Sequence, residues 1–352
     1  MKIIKLGIIG YGRIAQTHIT AIHKLNEIQN HFKVVLYSCL STHPERVKGF
    51  KKVTNDEIEF FSDPELMVVD ICTPNFKHAH EIELSKKFNK AVYCEKPVVS
   101  NLHEAKGFNF IENSGVALVY RYNEGVSLLK DAIDQNLLGK LIHYKALIYH
   151  DSYATLDRLM TWRQTKAYAY GGASLDLGIH SVDLARYLIG EVDDQKSMMN
   201  RLHNLRYVDE KHTMTQENDT DEYMALLLRH QHVIGVIESS RVSKPLTQED
   251  TFELYTENGT VVIKEDKLLF YSHHSKKMKV LKIEPSIRSQ KIHELNKNMH
   301  ELDLFTRMHG TALYFFFMSL VFDHYKEYVC TIQDALDSQQ IIQKVLDDEV
   351  YA

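Results

Sequence analysis

The sequence predicts an α/β protein: a doubly wound parallel sheet first, then an α+β domain with an open, largely antiparallel sheet. Three observations carry this. Over residues 1–121, short and almost fully apolar runs alternate with stretches of helical spacing. Apolar runs without alternation fit strands covered on both faces, and alternating strand and helix patterns imply a parallel sheet with right-handed crossovers. Beyond residue 122 strand patterns instead follow one another, with Asn258-Gly259 standing between residues 252–256 and 260–263 as a hairpin signal. At 352 residues the chain also exceeds the size that one core usually sustains. Two domains are expected: 1–121, and 122–352 for substrate binding and oligomerisation.

Element by element, residues 3–9 are the first strand and 14–25 the first helix. Residues 32–40 form the second strand, and Pro44-Glu45-Arg46 looks like the first turn of a helix. Strands at 68–72 and 91–94 flank a helix at 78–88, and a helix at 102–112 leads to a strand at 116–119. In the second domain 141–149, 222–228 and 233–239 read as strands and the polar stretch 208–221 as a surface loop. Helices are expected there at about 173–189, 298–327 and 333–347.

A net charge of -5 and a pI near 6.5 argue against a nucleic-acid surface. No apolar run approaches the ~20 residues needed to span a bilayer. The N-terminus "MKIIKLGIIGYG" starts a strand without a cleavable signal, so a cytoplasmic protein is expected. The four cysteines, Cys39, Cys72, Cys94 and Cys330, have no C-x-x-C spacing; three sit in apolar runs as expected for buried thiols. No H-E-x-x-H or Cys/His cluster points to a metal.

"GIIGYGRIA" supplies the cofactor expectation. Gly10, Gly12 and Ala15 form G-x-G-x-x-A between the first strand and the first helix. Gly10 would permit the tight turn and Gly12 the approach of a pyrophosphate, with the helix N–H groups at Arg13 and Ile14 facing the phosphates. The first domain is thus a Rossmann dinucleotide-binding domain. An acid closing the second strand would grip a ribose 2′-hydroxyl. Here Ser41, Thr42 and His43 follow that strand, with Arg46 beyond. Hydroxyls and a guanidinium suit a 2′-phosphate, so NADP(H) is favoured over NAD(H).

Two further stretches carry chemistry. "AVYCEKPVVSN" ends a buried strand on Glu95-Lys96-Pro97, and in such sheets ligands bind beyond the carboxyl ends of strands. "YGGASLDLGIHSVDLARYLIG" puts Asp176 and His180 four residues apart on one helix face. An Asp one turn before a His can hold one ring nitrogen and leave the other to exchange a proton, although such a pair is commonly a surface ion pair.

Together these motifs resemble the Gfo/Idh/MocA family of NAD(P)-dependent sugar and cyclitol oxidoreductases. The matching stretches are "GIIGYGRIA", "CTPNFKHAHEIELSKKFNKAVYCEKPV", "VYRYN" and "GGASLDLGIHSVDLARYLIG", in order over nearly the whole chain. The resemblance implies that Lys96, Asp176 and His180 line a substrate pocket beside the nicotinamide. It implies that Thr73, Pro74, Asn75 and His78 form a turn against the nicotinamide ribose and that Glu95 fixes Lys96. Arg121 and Asn123 would lie near the pocket, and Trp162-Arg163 on a covering loop. "STHPER" further resembles an NADPH-using member in its Ser-Thr and Arg positions. The implied reaction is hydride transfer to or from a secondary alcohol or ketone of a sugar or polyol, by a homodimer or homotetramer. Two rivals of the same fold are a non-catalytic dinucleotide- or sugar-binding regulator and a glycosidase that uses tightly held NAD. Substrate choice would lie in loops 150–170 and 240–250.

Overall fold

The structure, a computed structural model, describes residues 1–108, 113–244 and 251–348. The chain separates into two compact units, Met1–Tyr122 with His293–Leu336, and Asn123–Ile292 with Asp337–Ala352.

The first unit is built on a sheet of six parallel strands: β1 (Lys2–Ile9), β2 (Phe32–Leu40), β3 (Lys52–Thr54), β4 (Val68–Ile71), β5 (Ala91–Cys94) and β6 (Ser114–Val116). Their order is β3-β2-β1-β4-β5-β6, so the topology reverses between β1 and β4. That switch point opens a crevice beyond the carboxyl ends of the strands. The helices α1 (Arg13–Ile28), α2 (Glu57–Ser62) and α3 (Asn75–Lys87) connect them. α1 buries Ala15, His18, Ala21, Ile22 and Leu25, an apolar stripe interrupted by one histidine. Asp56 begins α2 by accepting from the N–H groups of Ile58 and Glu59.

Some elements differ from the sequence expectation. The helix expected at 102–112 is a 3-10 turn over Leu102–Ala105, started by the Asn101 side chain; residues 109–112 lie outside the described residues. The strand expected at 116–119 ends at Val116, and Val119–Tyr122 is a 3-10 turn.

The second unit contains an eight-stranded sheet made from β7 (Leu141–Tyr149), β8 (Asp194–Asn200), β11 (Tyr223–His230), β12 (Val233–Ser240), β13 (Thr251–Thr256), β14 (Gly259–Lys264), β15 (Lys267–Ser272) and β16 (Lys277–Lys279). β9 (Leu205–Tyr207) and β10 (Thr215–Glu217) form a separate ribbon. The order β16-β15-β14-β13-β7-β12-β11-β8 is antiparallel throughout except for the parallel pair β7 and β12. The predicted hairpin pairs Tyr255 with Thr260. α4 (Glu124–Asp134), the short α5 (Lys166–Ala169) and α6 (Ile179–Ile189) belong to this unit, and α4 and α6 pack against its sheet. The stretch 208–221 is not merely a surface loop: it contributes β10, and Asn218, Thr220 and Asp221 are fully buried.

The largest departure is the C-terminal stretch from residue 287 on. The sequence places it wholly in the second domain as helices 298–327 and 333–347. Instead α7 (Ile287–Asn298), missed as too polar, precedes α8 (Leu304–Ser319), and α9 (Ile332–Asp348) follows. α8 belongs to the first unit and packs on α1, where a Cβ on Gly310 would stand 3.4 Å from that of Ala21. Its buried Tyr314, Phe316 and Phe317 lie against Phe32 and Tyr93, so apolar burial across the chain outweighs proximity in sequence. All four cysteines are buried and unbridged. Among the described residues no helix is long and apolar enough to cross a membrane.

Candidate active site

The glycine turn lies at the switch point. Gly10 has φ +86, a left-handed conformation that suits glycine, and its N–H donates to Leu40 O at 2.9 Å. A Cβ there would stand 3.1 Å from Cys72 O, so the turns after β1 and β4 abut. Gly12 precedes α1 without a side-chain cap, and a Cβ added to it would meet nothing within 4 Å. The first turn of α1 carries no acid. Open space, uncapped N–H groups and the positive helix end fit a pyrophosphate. Arg13 is exposed and Ile14 half-buried beside this space.

At the end of β2, Ser41 Oγ accepts from His43 N–H at 3.1 Å, which shapes the turn. Thr42 is exposed, and Arg46 closes the 3-10 turn Pro44–Arg46 with its side chain 72% exposed. The acid in this turn, Glu45, lies 3.6 Å from Arg46 Nε.

The turn after β4 is tied down from below. Pro74 precedes α3, whose first residue, Asn75, is buried. Thr73 Oγ1 donates to Glu81 Oε2 at 2.5 Å. His78 is fully buried, with its ring nitrogens 2.9 Å from Thr73 O and from Pro97 O. It therefore braces the 73–75 turn against the loop after β5 from within the core. Burial lowers its proton affinity, against the pull of those carbonyls.

Glu95, Lys96 and Pro97 follow β5 directly, and the Lys96-Pro97 peptide is cis. Glu95 is buried while Lys96 is half-buried. The Glu95 carboxylate faces the interior and meets His18, on α1, and His309, on α8. Neither histidine was selected from the sequence. The only trace of His18 there is a polar residue within the apolar stripe of α1; nothing local marks His309.

In the second unit, Asp176 and His180 lie on one continuous helical segment, but it opens as a π-helical turn, Ser174–Gly178, before α6 begins. Such turns arise where backbone bonding is locally widened, often at functional sites. Asp221 explains the start of the segment. Its carboxylate accepts from the N–H groups of Gly172 at 2.6 Å and Ser174 at 2.7 Å, and from Ser174 Oγ at 2.8 Å. A Cβ at Gly172 would fall 1.7 Å from Asp221 O, so only glycine fits. Asp176 Oδ2 is 3.1 Å from Arg241 Nη2. Arg241 is buried and also donates to Arg163 O at 3.2 Å. His150 lies near both charges; burial lowers its proton affinity, with Asp176 opposing and Arg241 and Arg158 adding to the effect. His180 itself is buried.

The remaining expected residues also take definite places. Asn123 starts α4, accepting from Val126 N–H at 3.2 Å, and its amide donates to Glu265 O at 2.7 Å. Arg121, in the first unit, is buried and stands 3.8 Å from Asp334 Oδ2. Trp162 and Arg163 form a 3-10 turn started by Thr161, and the guanidinium lies 4.4 Å from the centre of the indole ring. The loop at 150–170 is anchored by Arg206, which is paired with Glu222 at 2.6 Å and donates to the carbonyls of Tyr153 and Thr155. Residues 245–250 of the other expected specificity loop lie outside the described residues.

The fold and the glycine turn define a dinucleotide-binding domain joined to an open-sheet α+β domain. Residues 4–115 match the oxidoreductase family with an NAD-binding Rossmann fold, and residues 126–262 match the GFO/IDH/MocA C-terminal domain. The chain belongs to the Gfo/Idh/MocA family. Levoglucosan dehydrogenase of Pseudarthrobacter phenanthrenivorans is 25% identical over 250 residues, 65% of this chain and 63% of that protein. Myo-inositol 2-dehydrogenase of Thermotoga maritima is also 25% identical over 250 residues, 67% of this chain and 68% of that one. A solved complex of levoglucosan dehydrogenase with NADH and levoglucosan shares the fold, with TM-score 0.83 over 98% of this chain and 96% of the other at 21% identity.

Proposed function

We propose that the chain is a nicotinamide-dependent oxidoreductase that interconverts a secondary alcohol and a ketone on a sugar, cyclitol or related polyol. The observation that carries this is the pairing, in one parallel sheet, of the open Gly10–Gly12 turn at the switch point with Lys96 beyond the carboxyl end of β5. Family membership and relatives named for levoglucosan and myo-inositol support a polyhydroxylated ring as substrate.

Gly10, Gly12, Arg13 and Ile14 would hold the pyrophosphate, and Thr73, Pro74 and Asn75 the nicotinamide ribose. When bound, the nicotinamide accepts or returns a hydride. In oxidation His180 takes the hydroxyl proton as the C–H hydride leaves and the C=O bond forms; in reduction it returns that proton. Asp176, itself paired with Arg241, would orient the imidazole. Lys96 places its ammonium on the oxygen and stabilises the developing alkoxide. Arg121, Asn123, Trp162 and Arg163 would contact substrate. NADP(H) is the favoured cofactor, because exposed Thr42 and Arg46 stand where an acid would otherwise meet the ribose.

We also infer a homo-oligomer. One face of the large sheet buries Tyr144, Leu226, Ile237 and Leu254, while the other presents Leu227, Ile234, Leu269 and Tyr271 at 38–49% exposure. These apolar side chains, set among Lys145, Glu238, Glu253 and Arg229 of the same face, call for a cover, and a second copy supplies one.

The decisive experiment is a panel of sugars and cyclitols with NADP and NAD, read by nicotinamide absorbance. Turnover of a polyol supports the reading. Tight cofactor binding without net turnover of any polyol or keto-sugar overturns it.

A further inference from the structure

Beneath Lys96 lies a buried polar chain that the reaction above does not use. His18, on α1, is fully buried. Its Nδ1 is 2.9 Å from Asp70 Oδ2, on β4, and both side chains are wholly inaccessible. On the other side its Nε2 is 3.0 Å from His309 Nδ1 and 3.2 Å from Glu95 Oε1. The remaining neighbours are Cys72, whose sulfur is 3.5 Å from both His18 Nδ1 and Asp70 Oδ1, and the ring of Tyr93, edge-on at 5.7 Å. Lys96 and Asp303 are the other charges that bear on this group, acting on Glu95 or on His309.

Proton placement follows from the acceptors. With Asp70 a carboxylate, His18 Nδ1 must donate. His309 is driven toward the neutral form, by burial first and by the charge on His18 second, to about 3. Glu95 Oε1, 3.2 Å from His18 Nε2, calls for a proton there, so Nε2 carries one as well, and neutral His309 meets it as the tautomer that accepts at Nδ1. Both His18 nitrogens therefore carry protons. Burial disfavours that charge, but Asp70 and Cys72 outweigh it and hold the imidazole well above its ordinary proton affinity. Glu95 answers from the other side: burial pushes its carboxyl up, yet the hydrogen bond and charge of His18, with Lys96, bring it down to about 2. Two carboxylates, one imidazolium and one ammonium leave the cluster electrically balanced.

We propose that His18 is a positioning residue for Lys96: an imidazole wedged between Asp70 and Glu95 that holds the Glu95 carboxylate turned beneath the lysine. This rests on the reading of Lys96 as the oxyanion partner. A buried carboxylate without His18 would take up a proton or swing toward Lys96 and draw the ammonium off the substrate oxygen. α8 takes part because it brings His309, a neutral acceptor, against the same N–H. The ligand atoms of His18, Asp70 and Cys72, and those of His18, Glu95 and His309, also lie within 4.8 Å of one another, close enough to share a cation. The 2.9 and 3.0 Å contacts are, however, ordinary hydrogen-bond lengths.

Two measurements test this. The first is nitrogen NMR of the full chain with labelled histidine, His18 being assigned by its loss in His18→Gln. A doubly protonated imidazole persisting to about pH 8, where free histidine is neutral, is expected. A neutral His18 at that pH overturns the proposal, whatever the kinetics of the variants. The second is a double-mutant cycle on turnover. His18→Gln and Asp70→Asn should each lower kcat about 10-fold or more, and His18→Gln on top of Lys96→Met should cost nothing further. Additive losses mean that His18 acts elsewhere and overturn the proposal while leaving Lys96 catalytic. Full activity of Lys96→Met alone defeats the function reading instead. Activity lost to a chelator and restored by a divalent ion would overturn the proposal in favour of a metal.

Discussion

Arg241 Nη2 stands 3.1 Å from Asp176 Oδ2, so the acid expected to orient His180 is itself held by a buried guanidinium at the end of β12. The same guanidinium bonds Arg163 O and so fixes the Trp162–Gln164 turn. Arg241→Met should destabilise the protein by about 1–3 kcal/mol, the usual range for a lost hydrogen bond to charge. It should also reduce kcat/KM, and Arg241→Lys should recover the stability more than the activity, because an ammonium cannot serve two partners in a fixed plane. Urea unfolding and steady-state kinetics on both variants check this; unchanged kcat/KM in Arg241→Met would remove the residue from the site.

Lys96→Met should lower the catalytic rate by about 10²–10³-fold, the loss expected for one oxyanion donor. Cofactor affinity should change little, because the pyrophosphate turn is formed by other residues. His180→Ala should lower the rate by about 10²-fold or more and abolish the pH dependence near neutrality. Both are read at saturating cofactor on folded protein.

Arg46→Ala should weaken NADP binding about 10- to 100-fold, the worth of a charge-assisted hydrogen bond, and leave NAD nearly untouched. Fluorescence titration with both cofactors decides the matter. Equal losses, or a wild-type preference for NAD, would remove the assignment.

Glu81 is buried on α3 with Thr73 as its partner. Burial pushes its carboxyl up from the ordinary 4.5 to about 8, against Thr73 and Lys77. A raised carboxyl contributes stability in full below its unfolded value and loses it as pH climbs through the folded one. Wild-type melting temperature should therefore fall between about pH 5 and pH 8 relative to Glu81→Gln. Parallel profiles for the two proteins would contradict this.

The exposed face of the eight-stranded sheet predicts self-association. Light scattering at micromolar concentration should give a dimer or tetramer. Leu227→Glu with Ile234→Glu, both on that face, should shift the mass toward the monomer without unfolding the chain. A wild-type monomer would count against the inference.

What the sequence determined by itself is what short-range physics dictates. Apolar runs set β1, β2, β4 and β5, and the glycine spacing at Gly10 and Gly12 placed the turn, because a left-handed φ and room for a ligand are properties of two or three residues. Asn258-Gly259 marked its hairpin for the same reason. The helix carrying Asp176 and His180 was legible from its spacing, though not its π-helical opening, whose start is held by Asp221 reaching across from the loop before β11. Nothing local could foretell that α8 leaves its neighbours in sequence to pack on α1. Nor could it foretell that His18, Asp70, Glu95 and His309, from four separate segments, meet with every side chain buried. Those contacts arise only when apolar faces far apart in the chain are buried together, and the polar groups carried inside must then find partners among themselves.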